Sequence, residues 1–121
     1  MSYSGHVDHA EAELDRGCIL AENDDVDGAV QHACLAAEHG LKAALASEGE
    51  PVPTGSKGHD LSFLASQVSM AVPFETVLLT LDGAYNQTRY PDTPPHNITD
   101  PDSILNEVES LIEYITEDAN R

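Results

Sequence analysis

The sequence predicts an all-α fold, an antiparallel up-down bundle of four to five helices. Apolar residues recur at helical spacing in five segments, and no segment alternates strictly as a half-buried strand does. With two Phe, four Tyr and no Trp, the core must come mostly from Ala, Leu, Val and Ile, which suits helices better than sheets. The connections are mostly short, so consecutive helices are expected to run antiparallel.

Two long helices are predicted in the first half of the chain. The first runs from about residue 7 to 22 and the second from about 26 to 47, and Asn23–Asp25 between them offers capping oxygens. The second helix is about 30 Å long, and its many alanines let a neighbouring helix approach closely. The predicted buried faces are Val7, Ala10, Leu14, Cys18 and Ala21 in the first helix, and Ala29, Val30, Ala33, Ala37, Leu41, Ala44 and Leu45 in the second.

Three further helices are predicted after a loop over residues 48–58, where two Pro and three Gly exclude a helix. The third begins at His59 or Asp60 and ends at Pro73, and the fourth runs from about residue 74 to 87. The last begins with Asp100 as N-cap and Pro101 in the first position. Their inward residues are Leu61, Leu64, Ala65 and Val68; Phe74, Val77, Leu78, Leu81 and Tyr85; and Ile104, Leu105, Val108, Leu111, Ile112 and Ile115.

The charge balance is strongly acidic, with 22 acidic residues against 5 basic ones and a net charge of -17. Disorder does not fit, because 40% of the residues are apolar and show helical period. A DNA mimic or acidic tail does not fit a charge spread along the chain. We favour a halophile's protein, kept soluble by acidic surface in molar salt. There the Debye length is about 3 Å, so the acidity does not exclude an RNA-facing function, although no DNA binding is expected.

The sequence predicts a cytoplasmic protein with no membrane partner. No apolar run approaches the roughly 20 residues that span a bilayer. The first residues have neither a basic start nor an apolar stretch, so no secretory signal is expected. Cys18 and Cys34 each lie in an amphipathic segment, and both are expected to be small buried thiols in a reducing compartment.

Three motifs occur in a characteristic order along the chain. They are HACLAAEHGLKA at residues 32–43, HDLSFL at 59–64 and YNQTRYPD at 85–92. In this order the chain resembles the HEPN domain (higher eukaryotes and prokaryotes nucleotide-binding) over about residues 7–118, so residues 1–121 are expected to be one such domain. The resemblance implies a homodimeric helical bundle that acts on RNA or binds a nucleotide. Small members are often encoded beside a minimal nucleotidyltransferase, as a toxin–antitoxin pair.

The resemblance also implies a candidate catalytic pair. Many HEPN proteins are endoribonucleases that need no metal or other cofactor and use an Arg, four to six residues, then a His, drawn from both subunits at the dimer cleft. Arg89 and His96 are separated by six residues, and Arg89 stands in the family's Arg-Tyr-Pro-Asp position. Histidine transfers protons near neutral pH, and a planar guanidinium binds the negative charge of a phosphorane-like transition state.

Two departures from the ribonuclease pattern keep a second interpretation open. Tyr90 follows the arginine where a polar residue is usual, and Ile98 stands where the tyrosine modified by the partner is often found. Arg89 is then either catalytic or one member of an ion pair that closes the turn, for instance with Asp92. The corresponding functions are an endoribonuclease toxin, or a non-catalytic module that binds a nucleotide or a nucleotidyltransferase partner, so the enzyme assignment stays open. Tyr90 and Asp92 are also candidate binding residues.

Four further residues are candidate binding residues. Glu38 and Lys42 are spaced i, i+4, which predicts a bridge on the helix surface, whereas their family position suggests that they line the groove between helices. His59, with Asp60, is expected to cap the third helix or, alternatively, to line the cleft. Lys57 lies between glycines and could contact phosphate, but the surrounding residues lack the full P-loop pattern.

No metal site is predicted from the histidines. His6 and His9 lie one helical turn apart near the chain start, without a further ligand set in the sequence. His32 and His39 are seven residues apart on one helix, about 10.5 Å along its axis, too far to share one ion.

Overall fold

The computed structural model describes residues 1–89 and 98–119, and within them the side chains of residues 70–72 and 85–89 are not described. This part of the chain is helical and contains no strand, which confirms the all-α prediction. None of its helices combines the length and the apolar character that crossing a membrane requires. The α-helices are α1 (Tyr3–Glu22), α2 (Val26–Ser47), α3 (Leu61–Gln67), α4 (Glu75–Arg89) and α5 (Pro101–Ala119), and two 3₁₀ turns span Gly55–His59 and Ser69–Phe74.

Helix α2 is the centre of the bundle, because α1, α3, α4 and α5 all pack against it. Its bounds are those predicted from the sequence, and its alanine-rich face is fully enclosed. Small side chains allow this many neighbours to approach one helix, while each buried leucine contributes about 1.5–3 kcal/mol. The buried apolar residues of α2 are Ala29, Val30, Ala33, Cys34, Ala36, Ala37, Leu41, Ala43, Ala44 and Leu45.

Helix α1 runs antiparallel to α2 and approaches it closely at Gly17. A Cβ atom at this position would lie 3.3 Å from the carbonyl oxygen of Ala29 on α2 and 2.8 Å from a methyl carbon of Leu105 on α5. A larger residue there would require the Leu105 side chain to move and the contact between α1 and α2 to widen slightly. The contact fixes the register of α1, and this register brings the start of α1 beside the second half of α2.

Four helices begin at a side-chain cap. In each case a side-chain oxygen accepts a hydrogen bond from the backbone N–H three residues later, at 2.9–3.4 Å, which satisfies one of the free donors of the first turn. The predicted capping roles of Asp60 and of Asp100 before Pro101 are confirmed. The capping residues are Ser2, Asp25, Asp60 and Asp100.

Three predicted boundaries differ from the structure. Helix α1 begins at Tyr3, four residues before the expected start, because Ser2 caps it. Residues 48–58 were expected to be free of helix, but a 3₁₀ turn begins at Gly55, where a positive φ of 68° reverses the chain. Helix α3 ends at Gln67 and not at Pro73, because Val68 is extended and the proline lies inside the second 3₁₀ turn.

The two cysteines differ in environment, so the prediction of two buried thiols is half wrong. Cys34 is fully buried on α2 and donates to the carbonyl oxygen of Leu81 on α4, at 3.4 Å. Burial, with the charges of Asp82 and Glu38, raises its pKa well above the ordinary range. Cys18 is exposed, because Gly17 occupies the contact between α1 and α2 at this level.

Candidate functional site

A buried carboxylate, Glu38 of α2, lies at the centre of the candidate site. The residue is 2% exposed, in a helix whose buried face is otherwise apolar. Its Oε2 accepts from the Lys42 ammonium at 3.0 Å, and its Oε1 lies 3.0 Å from His59 Nδ1. A carboxylate only accepts hydrogen bonds, so Nδ1 of His59 carries the proton in this contact and Nε2 points away from Glu38. The expected i, i+4 pair is present, but Glu38 is buried and not on the helix surface.

A cavity of about 380 Å³ opens beside this triad, and we call it the Glu38 cavity. Lys42 and His59 line it, together with His6 and the loop Val52–Gly55. The loop lies close over Lys42 at Gly58, where a Cβ atom would come within 2.8 Å of the Pro53 carbonyl oxygen. The 3₁₀ turn that ends at His59 therefore carries the imidazole to the cavity wall.

Three histidines meet behind the cavity, a contact that the sequence alone did not predict. His6 of α1 is 5% exposed, and its Nδ1 lies 3.2 Å from Nδ1 of His39 on α2. The rings of His9 and His39 lie with their centroids 4.9 Å apart and their planes tilted by 33°. Among the described residues, no group of three or more His, Cys, Asp or Glu side chains is arranged to hold a metal ion. His32, by contrast, pairs with Glu13 of α1.

Burial keeps the inner histidines neutral. Desolvation, followed by the charges of His39, Lys42, the N-terminal amine and His9, lowers the pKa of His6 to about 4. Desolvation also lowers the pKa of His39, against the opposing charge of Glu38. Near neutral pH one Nδ1–H therefore donates to the other ring's Nδ1 lone pair, which ties the start of α1 to α2.

This contact predicts a loss of stability in mild acid. The unfolded chain protonates His6 near pH 6.5, whereas the folded chain resists protonation until about pH 4. The contribution of the neutral His6 to the free energy of unfolding is therefore complete above pH 6.5 and is lost as the pH falls towards 4, with an upper limit of about 3.4 kcal/mol. Denaturant unfolding of the wild type and of His6→Leu between pH 7.5 and 4.5 should show a shallower decline in the variant. Equal declines in both proteins would contradict the assignment, and His32→Gln is the matched control.

Of the predicted catalytic pair, the structure describes only the backbone of Arg89, at the far end of α4. Arg89 is the last residue of this helix, seven residues and about 10 Å beyond Asp82. Asp82 accepts from the Leu61 N–H at 3.2 Å and so holds the start of α3, a contact that no local sequence pattern predicted. Tyr90, Asp92 and His96 lie outside the described residues.

Lys57 does not line the Glu38 cavity. Its ammonium lies 5.1 Å from the centroid of the Phe63 ring, a cation–π contact on the surface of α3. Of the predicted binding residues, the structure brings together Glu38, Lys42 and His59, and it places Lys57 outside this group.

Comparison with known proteins supports the motifs read from the sequence. The model of the HEPN domain family matches residues 3–118, nearly the whole chain. No curated protein and no solved structure gives a significant match. The chain belongs to the HEPN domain family.

Proposed function

We propose that the protein is a metal-independent endoribonuclease whose site forms from Arg89 and His96 at the cleft of a homodimer. Membership of the HEPN family, which includes ribonucleases, supports this proposal. The observation that carries it is the sequence motif: Arg89 stands in the family's Arg-Tyr-Pro-Asp position at the last described residue of α4, and six residues separate it from His96.

The chemistry needs only side chains. One histidine takes the proton of the RNA 2′-OH, the 2′ oxygen forms a bond to phosphorus, and the bond to the 5′ oxygen breaks. A second histidine gives its proton to the leaving 5′ oxygen, which leaves a 2′,3′-cyclic phosphate and a 5′-hydroxyl end. A dimer supplies both copies of His96, and the Arg89 guanidinium holds the charge that gathers on the phosphate oxygens.

A minimal nucleotidyltransferase is the proposed partner that restrains this activity, as in a toxin–antitoxin pair. Ile98 stands where a tyrosine is often modified in related toxins, so restraint by modification at that position is not available here. The partner therefore acts in our proposal by binding. Screening in molar salt lets RNA approach despite the net charge of -17.

Expression of the protein alone in a related host tests this function. Growth should stop, and Arg89→Ala or His96→Ala should each restore it. Harmless expression of the wild type, together with stable co-purification of a nucleotidyltransferase, would contradict the proposal.

The Glu38 cavity favours a second candidate function, a non-catalytic binding module. Lys42 and His59 present nitrogen atoms to a cavity of small-molecule size. In this case Arg89 has a structural role, such as an ion pair with Asp92 that closes the turn. The growth experiment separates the two functions, because a binding module does not arrest growth through Arg89.

A further inference from the structure

We propose that the Glu38 cavity binds the phosphate group of a small organic phosphomonoester, with Lys42 and His59 as its direct ligands. This site is separate from Arg89 and His96. The proposal does not depend on RNA cleavage, and it gives the cavity a ligand class of its own.

The first argument is the burial of a cation in an acidic chain. The chain has only 5 Lys and Arg residues against 22 acidic ones. The side chain of Lys42 is 12% exposed, whereas that of Arg16 is 59% exposed and Lys57 lies on the surface. Holding a scarce cation largely out of water costs solvation energy that a surface lysine retains. A ligand that brings negative charge to Lys42 would offset part of this cost.

The second argument is the arrangement of donors around Glu38. Each carboxylate oxygen is occupied, one by Lys42 and one by His59, and the side chain is 3% exposed, so Glu38 offers almost nothing to the cavity. Lys42 has three N–H donors, and the contact with Glu38 uses one of them. The outward Nε2 of His59 lies on the opposite edge of the ring from Glu38. With the proton on Nδ1, Nε2 of the neutral ring is an acceptor, whereas Lys42 offers only donors. A ligand that meets both must bring acceptor oxygens for Lys42 and a hydroxyl for Nε2, and the singly protonated phosphate of a monoester carries both.

The third argument is the size and the wall of the cavity. Its volume of about 380 Å³ exceeds what a bare phosphate ion fills and falls within the range of small-molecule sites. Val52 and Pro53 provide an apolar wall for the organic part of a ligand. Gly58 keeps the loop close over Lys42, where a side chain would collide with the backbone of Pro53.

Binding of three probes to the purified protein in molar KCl tests the proposal. The probes are inorganic phosphate, adenosine 5′-monophosphate and adenosine, followed by calorimetry and by the backbone amide NMR signals of Gly55 and Gly58. We expect the monophosphate to bind at least about tenfold more tightly than adenosine, since one charge-assisted hydrogen bond contributes 1.4 kcal/mol or more. Inorganic phosphate should compete with it and shift the same two signals.

One variant isolates the contribution of His59. In His59→Asn the side-chain N–H can still donate to Glu38, while the outward Nε2 is removed, so the fold should persist. We expect it to weaken monophosphate binding about tenfold, and Lys42→Gln to weaken it at least as much. The matched control is Arg16→Gln, which removes one positive charge from an exposed position of α1 and should change monophosphate binding by less than about twofold.

Three outcomes would overturn the proposal. They are equal binding of adenosine and its monophosphate, an equal loss in Arg16→Gln and folded His59→Asn, and unshifted Gly55 and Gly58 signals at about 10 mM ligand. None of the probes contains a phosphodiester, so this result does not decide whether the protein cleaves RNA. Conversely, an inactive enzyme that still binds the monophosphate would reject the proposed ribonuclease and keep this site.

Discussion

Arg89→Ala is expected to lower the rate of RNA cleavage by about 10²–10³-fold. In the proposed reaction the guanidinium meets the phosphate oxygens as they gain charge, and removing one such preorganised donor has an effect of this size in other enzymes. Arg89→Lys should retain part of the activity, because an ammonium keeps the charge but loses the paired hydrogen bonds. The measurement is the initial rate of cleavage of a labelled RNA by each purified variant in molar KCl.

Two controls make the Arg89 result interpretable. Arg16→Gln removes one positive charge from an exposed position of α1 and should leave the cleavage rate within about twofold, since a distant charge is screened in this salt. Thermal unfolding of Arg89→Ala should match that of the wild type. Full activity in Arg89→Ala would contradict a catalytic role for the arginine. A slow rate that is accounted for by unfolding of the variant would point instead to a structural ion pair with Asp92.

Glu38→Ala is expected to lower the free energy of unfolding by about 3–5 kcal/mol. The substitution leaves Lys42 largely buried without its carboxylate and removes the acceptor of His59, and breaking one partner of a buried pair has an effect of this size. Glu107→Ala, at an exposed position of α5, is the control, with an expected change in the free energy of unfolding within about 0.5 kcal/mol. The measurement is denaturant unfolding, followed by circular dichroism at fixed salt.

A double variant tests why Glu38→Ala destabilises. Glu38→Leu combined with Lys42→Met replaces the pair by apolar groups of similar size and should recover most of the lost stability. Recovery would show that the pair orients groups at the cavity and is not needed for folding. A change below about 1 kcal/mol in Glu38→Ala would contradict the buried position that the structure gives this residue.

Helices were predictable where local signals agreed. The bounds of α2 followed from its alanine stripe between Asp25 and the loop at residue 48, and the start of α5 followed from Asp100 and Pro101. Both signals come from residues that are close to one another in the sequence. The prediction for Cys18 failed because its burial depends on where α1 meets α2, and Gly17 decides that contact through its neighbours in other helices.

The candidate site was less predictable, because tertiary contacts assemble it. Glu38 and Lys42 look like a surface pair in the sequence, and the partner that completes the site, His59, lies 21 residues after Glu38 across the loop. His6 and His39 meet only because α1 and α2 are antiparallel, with a separation of 33 residues. The pairing of Arg89 with His96 came from a motif alone, and it stays a prediction.

The most direct test of the proposed function is RNA cleavage by the purified protein in EDTA and molar KCl. Ribonuclease-free preparations of the wild type and of His96→Ala should be compared on the same RNA, with product ends identified by mass spectrometry. Our account predicts cleavage by the wild type alone, with 2′,3′-cyclic phosphate and 5′-hydroxyl ends. Intact RNA after incubation with the folded wild-type protein, or cleavage only when a divalent metal is added, would contradict it.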